Sequence, residues 1–121
     1  MNLKVLDADL SVCKISFPEE IPFGDPYVFV GKTDEELSLV CGTQSVPKTC
    51  TVREDGWKAF RVVGSMEFSL VGILSKITSV LAENQISVFA VSTFNTDYIL
   101  VKAEQLDRTV QALESSGYRF I

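Results

Sequence analysis

Histidine is absent from all 121 residues. That removes the commonest general base of enzymes and the commonest nitrogen ligand of bound metals. Only unpaired Asp, Glu, Lys, Tyr and Cys side chains remain for proton transfer. Long apolar runs are missing too: residues 28–30 and 86–91 (broken by Ser87) fall far short of the ~20 residues that span a bilayer. Basic clusters are also lacking. Eleven Lys and Arg are scattered among sixteen Asp and Glu, for a net charge of −5, and no basic stripe exists to neutralise phosphates. There is no G-x-x-x-x-G-K loop and no Ser/His or Cys/His pair. The N-terminus has neither a long apolar segment nor a small-residue cleavage site, so the expectation is a cytoplasmic protein without nucleic-acid or membrane partners.

The three cysteines, Cys13, Cys41 and Cys50, are widely spaced, so no paired metal-ligand spacing arises and neither a metal nor a cofactor is expected. Cys13 and Cys41 sit inside strand-like runs and read as small buried apolar side chains. Cys50 lies in a polar loop, open to exposure. Hydrophobic residues at 46% and charged residues at 22% suit a folded chain, and the length allows one ordinary core or two very small ones.

The clearest pattern is in the second half, from Trp57. Residues 58–63 alternate and end at Gly64, a strand and its stop. Leu70, Ile73, Leu74, Ile77, Val80 and Leu81 recur at spacings of three and four, one apolar helix face that ends near Asn84. Residues 86–93 return as a strand, Phe94-Asn95-Thr96 turns, and 97–102 is a second strand of high β-propensity. Leu106, Val110 and Leu113 mark a helix over roughly 103–116, with Gly117 at its C′ position, and 118–121 is a short last strand. That order, strand–helix–strand–strand–helix–strand, predicts an α+β fold of the ferredoxin-like βαββαβ type.

The first half is mostly β with short connections. Residues 11–17, 26–32 and 36–41 read as strands, and Pro18, Pro22, Pro26 and Pro47 interrupt any helical period. A reduced version of the same unit over 1–56, packed beside a full unit over 57–121, is the expected organisation, with Trp57 anchoring the junction.

These pieces resemble an ACT domain, the small-molecule-binding regulatory module of amino-acid metabolism. The resemblance covers residues 57–118. It rests on the 64–68 loop, Gly72-Ile73 at the helix start, Leu81-Ala82-Glu83-Asn84-Gln85-Ile86-Ser87 at its exit, and the Ser92-Thr93-x-x-Thr96-Asp97 hairpin. Thr33-Asp34-Glu35-Glu36-Leu37-Ser38-Leu39-Val40-Cys41 and Gly56-Trp57 look like short bacterial tandem-ACT proteins. The hairpin pattern is similar to those of the aspartokinase regulatory region and of animal cytosolic arginine sensors.

The resemblance implies an effector site at an ACT–ACT interface in a homodimer. Its lining would be Met66, Glu67, Phe68, Ser69, Gly72 and Ile73, with Ser92, Thr93, Asn95, Thr96 and Asp97 nearby. The first unit has no Gly-Ile helix start, so one complete site per chain is implied, with a second chain available to complete it.

Physical chemistry supports such a site and leaves alternatives open. A helix N-terminus favours a carboxylate, and a nearby Asp or Glu favours an ammonium, which together suit an amino acid. Ser69 either caps the helix or turns to ligand. Gly72, read as lying in the first turn, either packs or admits ligand. Asp97 bonds local turn amides or pairs with the effector's ammonium; Glu67 is solvated or touches ligand. Phe68, Ile73 and Phe94 could shape a side-chain pocket. The function expected is a non-catalytic regulatory protein that binds an amino acid and acts on a partner protein. The alternative is a ligand-free dimerisation module of the same fold.

Overall fold

The structure, a computed structural model, describes residues 1–63 and 72–121. The chain divides into two compact units. One is Ala8–Trp57; the other joins Met1–Asp7 to Lys58–Ile121. The first is therefore an insertion within the second in chain order, and they are called here the inserted and the outer unit. The single cut between 56 and 57 read from the sequence differs in two ways. Trp57 belongs with the residues before it, and the first seven residues belong with the last sixty-odd.

The outer unit contains β1 (Asn2–Val5), the second half of β5 (Val52–Val62), α1 (Ile73–Glu83), β6 (Phe89–Ser92), β7 (Asp97–Lys102), α2 (Leu106–Ser115) and β8 (Arg119–Phe120). Its strands lie in the order β6-β7-β5-β1-β8. Without β1 this is the ferredoxin-like order expected. β1 enters between β5, to which it is antiparallel (Leu3 opposite Val62, Val5 opposite Phe60), and β8, to which it is parallel. The sheet thus has five strands rather than the four expected.

Alternate strand residues face the helices. Leu3, Phe60, Val62, Ile99 and Val101 form one core with Ile77 and Leu81 of α1, Leu113 of α2, and Ile86. Phe60 and Phe120 meet edge to face, their centroids 5.6 Å apart. The three-and-four spacing read from the sequence is the face that packs: Ile73, Leu74 and Val80 join Ile77 and Leu81 against this core. Leu70 lies outside the described residues. The expected second helix divides into a 3-10 turn, Ala103–Gln105, and α2 proper. Arg108 of α2 donates to the Asn84 carbonyl at 2.6 Å, at the negative end of α1.

The inserted unit contains β2 (Leu10–Lys14), β3 (Phe29–Lys32), β4 (Leu37–Gly42) and the first half of β5. Its strand order, β3-β4-β2-β5, follows the same plan. Where that plan has helices, this unit has three-residue 3-10 turns, Pro18–Glu20 and Thr43–Ser45. Pro18 opens the first of them, at a position where its missing N–H costs nothing. Between Leu10/Trp57 and Val12/Glu54 the register shifts by one residue. Gly56, at φ +85°, supplies the left-handed conformation this bulge uses.

The cysteines gather in the inserted unit's core. Cys13 and Cys41 are buried with Ile15 and Leu39 as expected, and Cys50 is half-buried against the same cluster rather than open in a loop. Burial pushes the Cys41 thiol up to about 12 and raises Cys13 as well.

Candidate functional site

The β6–β7 hairpin holds most of the polar groups singled out in the sequence. Its strands pair in register from Phe89 opposite Leu100 to Ser92 opposite Asp97. The Thr93 N–H donates to the Thr96 carbonyl at 2.9 Å and closes the turn. The Thr93 hydroxyl donates to that same carbonyl, at 2.9 Å, and accepts the Thr96 N–H at 3.3 Å. Thr96 is buried, and its hydroxyl donates at 2.8 Å to the Val62 carbonyl at the end of β5. That bond fixes the hairpin's turn end to the strand from which residues 64–71 lead to α1.

Asp97 is 7% exposed and accepts the Ser92 hydroxyl at 2.6 Å. It stands on the same face as Ile99 and Val101, the helix face of the sheet. Among the described residues its side-chain hydrogen-bond partner is this one neutral hydroxyl. Ser92, Thr93 and Asn95 are exposed, and Phe94 stands at 80% exposure on the turn.

Gly72 is not inside the helix. It precedes α1 as its N-cap at φ +82°, a left-handed conformation costly to any residue with a Cβ. The first-turn position expected from the sequence is thus corrected, and the backbone conformation explains the residue. The first helical bond runs from the Lys76 N–H to the Gly72 carbonyl at 2.9 Å, so the amides of Ile73, Leu74 and Ser75 precede the ladder. Ile73 packs against the outer core, as a core residue would. Met66, Glu67, Phe68 and Ser69 lie outside the described residues.

Sequence reading did not anticipate a second polar cluster, in the inserted unit. Ser11, fully buried, donates to Asp55 at 2.6 Å and is hydrogen-bonded at 2.9 Å with the Thr43 hydroxyl. Arg53 clasps the same carboxylate oxygen at 2.9 and 3.1 Å. Asp25 accepts N–H groups from Tyr27 at 2.9 Å and Gly42 at 3.1 Å, which tie its loop to the end of β4. Both clusters are internally satisfied and read as staples. The alternation of β2 gave no sign of them, because Ser11 occupies an ordinary inward position. No group of His, Cys, Asp and Glu suited to a metal occurs among the described residues. No described helix is long and apolar enough to cross a membrane.

Two helices on one face of a sheet in this strand order define a ferredoxin-like α+β module. The chain belongs to the ACT domain family, which matches residues 52–115. ACT domains are regulatory modules, and the family indicates no catalytic activity. A crystallised protein of Agrobacterium tumefaciens is 30% identical, with 99% of this chain and 91% of that one covered at a TM-score of 0.88. The regulatory subunit of aspartate kinase from Thermus thermophilus has the same fold at 7% identity (91% and 93% covered, TM-score 0.62). Aspartate kinase from Synechocystis does so at 13% identity over 99% of this chain and 27% of its own, with a TM-score of 0.70. No protein of curated function matches the sequence.

Proposed function

We propose that the chain is a non-catalytic regulatory protein whose outer ACT unit binds a free amino acid and passes the signal to a partner protein. The observation that carries this reading is Asp97. A carboxylate 7% exposed, with one neutral hydroxyl as its described partner, lacks the countercharge that buried ions ordinarily have. An ammonium group supplies one. The amides that open α1, on the element following β5, suit the carboxylate of the same ligand. In this reading Gly72, Ile73, Ser92, Thr93, Asn95 and Thr96 form the described border of the site, and Met66, Glu67, Phe68 and Ser69 complete it. The effector is held where ACT units of two chains meet, in a homodimer. The inserted unit is a reduced second ACT-like unit, which makes the chain a tandem.

A second reading has its own support. The hydroxyls of Ser92, Thr93 and Thr96 all donate within the protein, so they offer a ligand only acceptor lone pairs. That favours a module of the same fold that dimerises without ligand.

A thermal-shift panel of the twenty L-amino acids separates the two. Ligand at 100 times its dissociation constant adds about 2.7 kcal/mol. A shift with one amino acid, absent with its N-acetyl derivative and absent in Asp97→Asn, supports the sensor. A flat panel on folded, dimeric protein supports the ligand-free module.

A further inference from the structure

The β3–β4 hairpin of the inserted unit repeats the β6–β7 hairpin of the outer unit position by position. A four-residue strand, a four-residue turn, a six-residue strand and a three-residue 3-10 turn follow one another in both. They start at Phe29, Leu37 and Thr43 in one, and at Phe89, Asp97 and Ala103 in the other. The turn chemistry is also repeated. The Thr33 N–H donates to the Glu36 carbonyl at 2.9 Å, as Thr93 does to Thr96. The Thr33 hydroxyl accepts the Glu35 and Glu36 amides, as the Thr93 hydroxyl accepts that of Thr96. The inner strand positions Leu39, Val40 and Cys41 are buried, as are Ile99, Leu100 and Val101.

Against that match, two of the positions that differ bear on the site. Lys32 stands where the outer unit has Ser92, and Leu37 where it has Asp97. Leu37 packs against the Cys13–Ile15–Leu39–Cys41 core, so the side of the sheet that carries a carboxylate in one unit carries a core side chain in the other. The helix is lost as well. The inserted unit has the three residues Pro18–Glu20 where the outer unit has the eleven of α1. A three-residue turn has no aligned stack of peptide dipoles and no row of free amides to hold a carboxylate. Both halves of a zwitterion's counterpart are therefore missing from one hairpin whose backbone is otherwise kept.

We infer that the inserted unit is a blind copy of the binding unit, so that the chain takes one amino acid through the outer unit alone. This rests on the reading of Asp97 as an effector anchor. The inserted unit's remaining role is structural, and no coupling between two effector sites arises within a chain.

The test uses the full-length protein and the twenty L-amino acids as probes, first by thermal shift and then by titration calorimetry with the strongest. Asp97→Asn, which retains an acceptor for Ser92, and Lys32→Ala, at an exposed position, are compared with wild type, with circular dichroism as the check on folding. The expected result is one ligand per chain, loss of binding by at least tenfold in Asp97→Asn, and no change in Lys32→Ala. Two ligands per chain, or binding that survives Asp97→Asn and falls in Lys32→Ala, overturns the inference and leaves an amino-acid sensor standing. No heat and no shift with any of the twenty overturns the sensor reading and this inference with it.

Discussion

The Ser92 hydroxyl donates to the Asp97 carboxylate at 2.6 Å, between the two residues that close the register of the β6–β7 hairpin. One short bond thus holds a buried carboxyl group at the end of a strand. Removing the donor and removing the charge have different consequences. Ser92→Ala is expected to cost about 1–2 kcal/mol of stability, as for a lost bond to a charged acceptor. Asp97→Asn is expected to change stability by less than that and, on the proposed reading of Asp97 as an effector anchor, to weaken amino-acid binding at least tenfold. Urea denaturation of both variants, with and without ligand, checks the pair.

Thr96 ties the same hairpin to the end of β5. Thr96→Val removes the donor to the Val62 carbonyl while keeping the side-chain volume, and is expected to destabilise by about 1–3 kcal/mol. An unchanged urea midpoint would show that the bond contributes nothing net.

β1 gives a prediction about the ends of the chain. Leu3 is fully buried on β1, between the mid-chain strand β5 and the C-terminal strand β8. Leu3→Ala is expected to cost about 2–5 kcal/mol, comparable with Ile77→Ala in α1, whereas Lys4→Ala, exposed on the same strand, stays within about 0.5 kcal/mol. Equal effects of Leu3→Ala and Lys4→Ala in chemical denaturation would contradict the placement of β1.

Asp25 links stability to acid pH. Burial raises its pKa, but the Tyr27 N–H, the Ser45 side chain and the Gly42 N–H together hold it below the usual carboxylate range. A carboxylate depressed in the folded state contributes stability that is present above the unfolded pKa of about 3.9 and lost as pH falls through the native value below it. Gly42→Ala would set a Cβ 2.5 Å from Asp25 Oδ2 and push the carboxylate away. The variant is expected to be less stable at pH 7 and to lose less on acidification. Parallel pH titrations of the melting temperature check this.

The thiols differ by burial. With Cys41 pushed up to about 12 and Cys13 raised, both remain protonated and shielded at pH 8, whereas Cys50 is half-buried at the edge of their cluster. A thiol reagent is expected to titrate one cysteine quickly in the native protein and all three in urea. Three equally fast thiols without urea would contradict the inserted unit's core.

Legibility from sequence followed the range of the interactions. The apolar face of α1 from Ile73 onward, strand 97–102 and a turn at Phe94-Asn95-Thr96 depend on spacing within a dozen residues; all three are found, with Thr93 joining the turn rather than the strand before it. The 3-10 turns at Pro18–Glu20 and Thr43–Ser45 left only the lack of a helical period and the scattered prolines as a trace. Spacing places Gly72 in the first helical turn because it does not report the sign of φ. Ser69 and the other residues of 64–71 lie outside the described part of the chain.

By itself the sequence determined the strand and helix types from residue 58 onward, the buried Cys13 and Cys41 and the family, because each rests on local periodicity or on a string of short motifs; it gave no sign of β1. Only the tertiary structure decided that Asn2–Val5 lies between β5 and β8, and whom the hairpin's hydroxyls serve. A four-residue strand carries no address for partners more than fifty positions away. A threonine's pattern position does not say whether a carbonyl from another strand will be within reach. Those are consequences of where the chain returns in space.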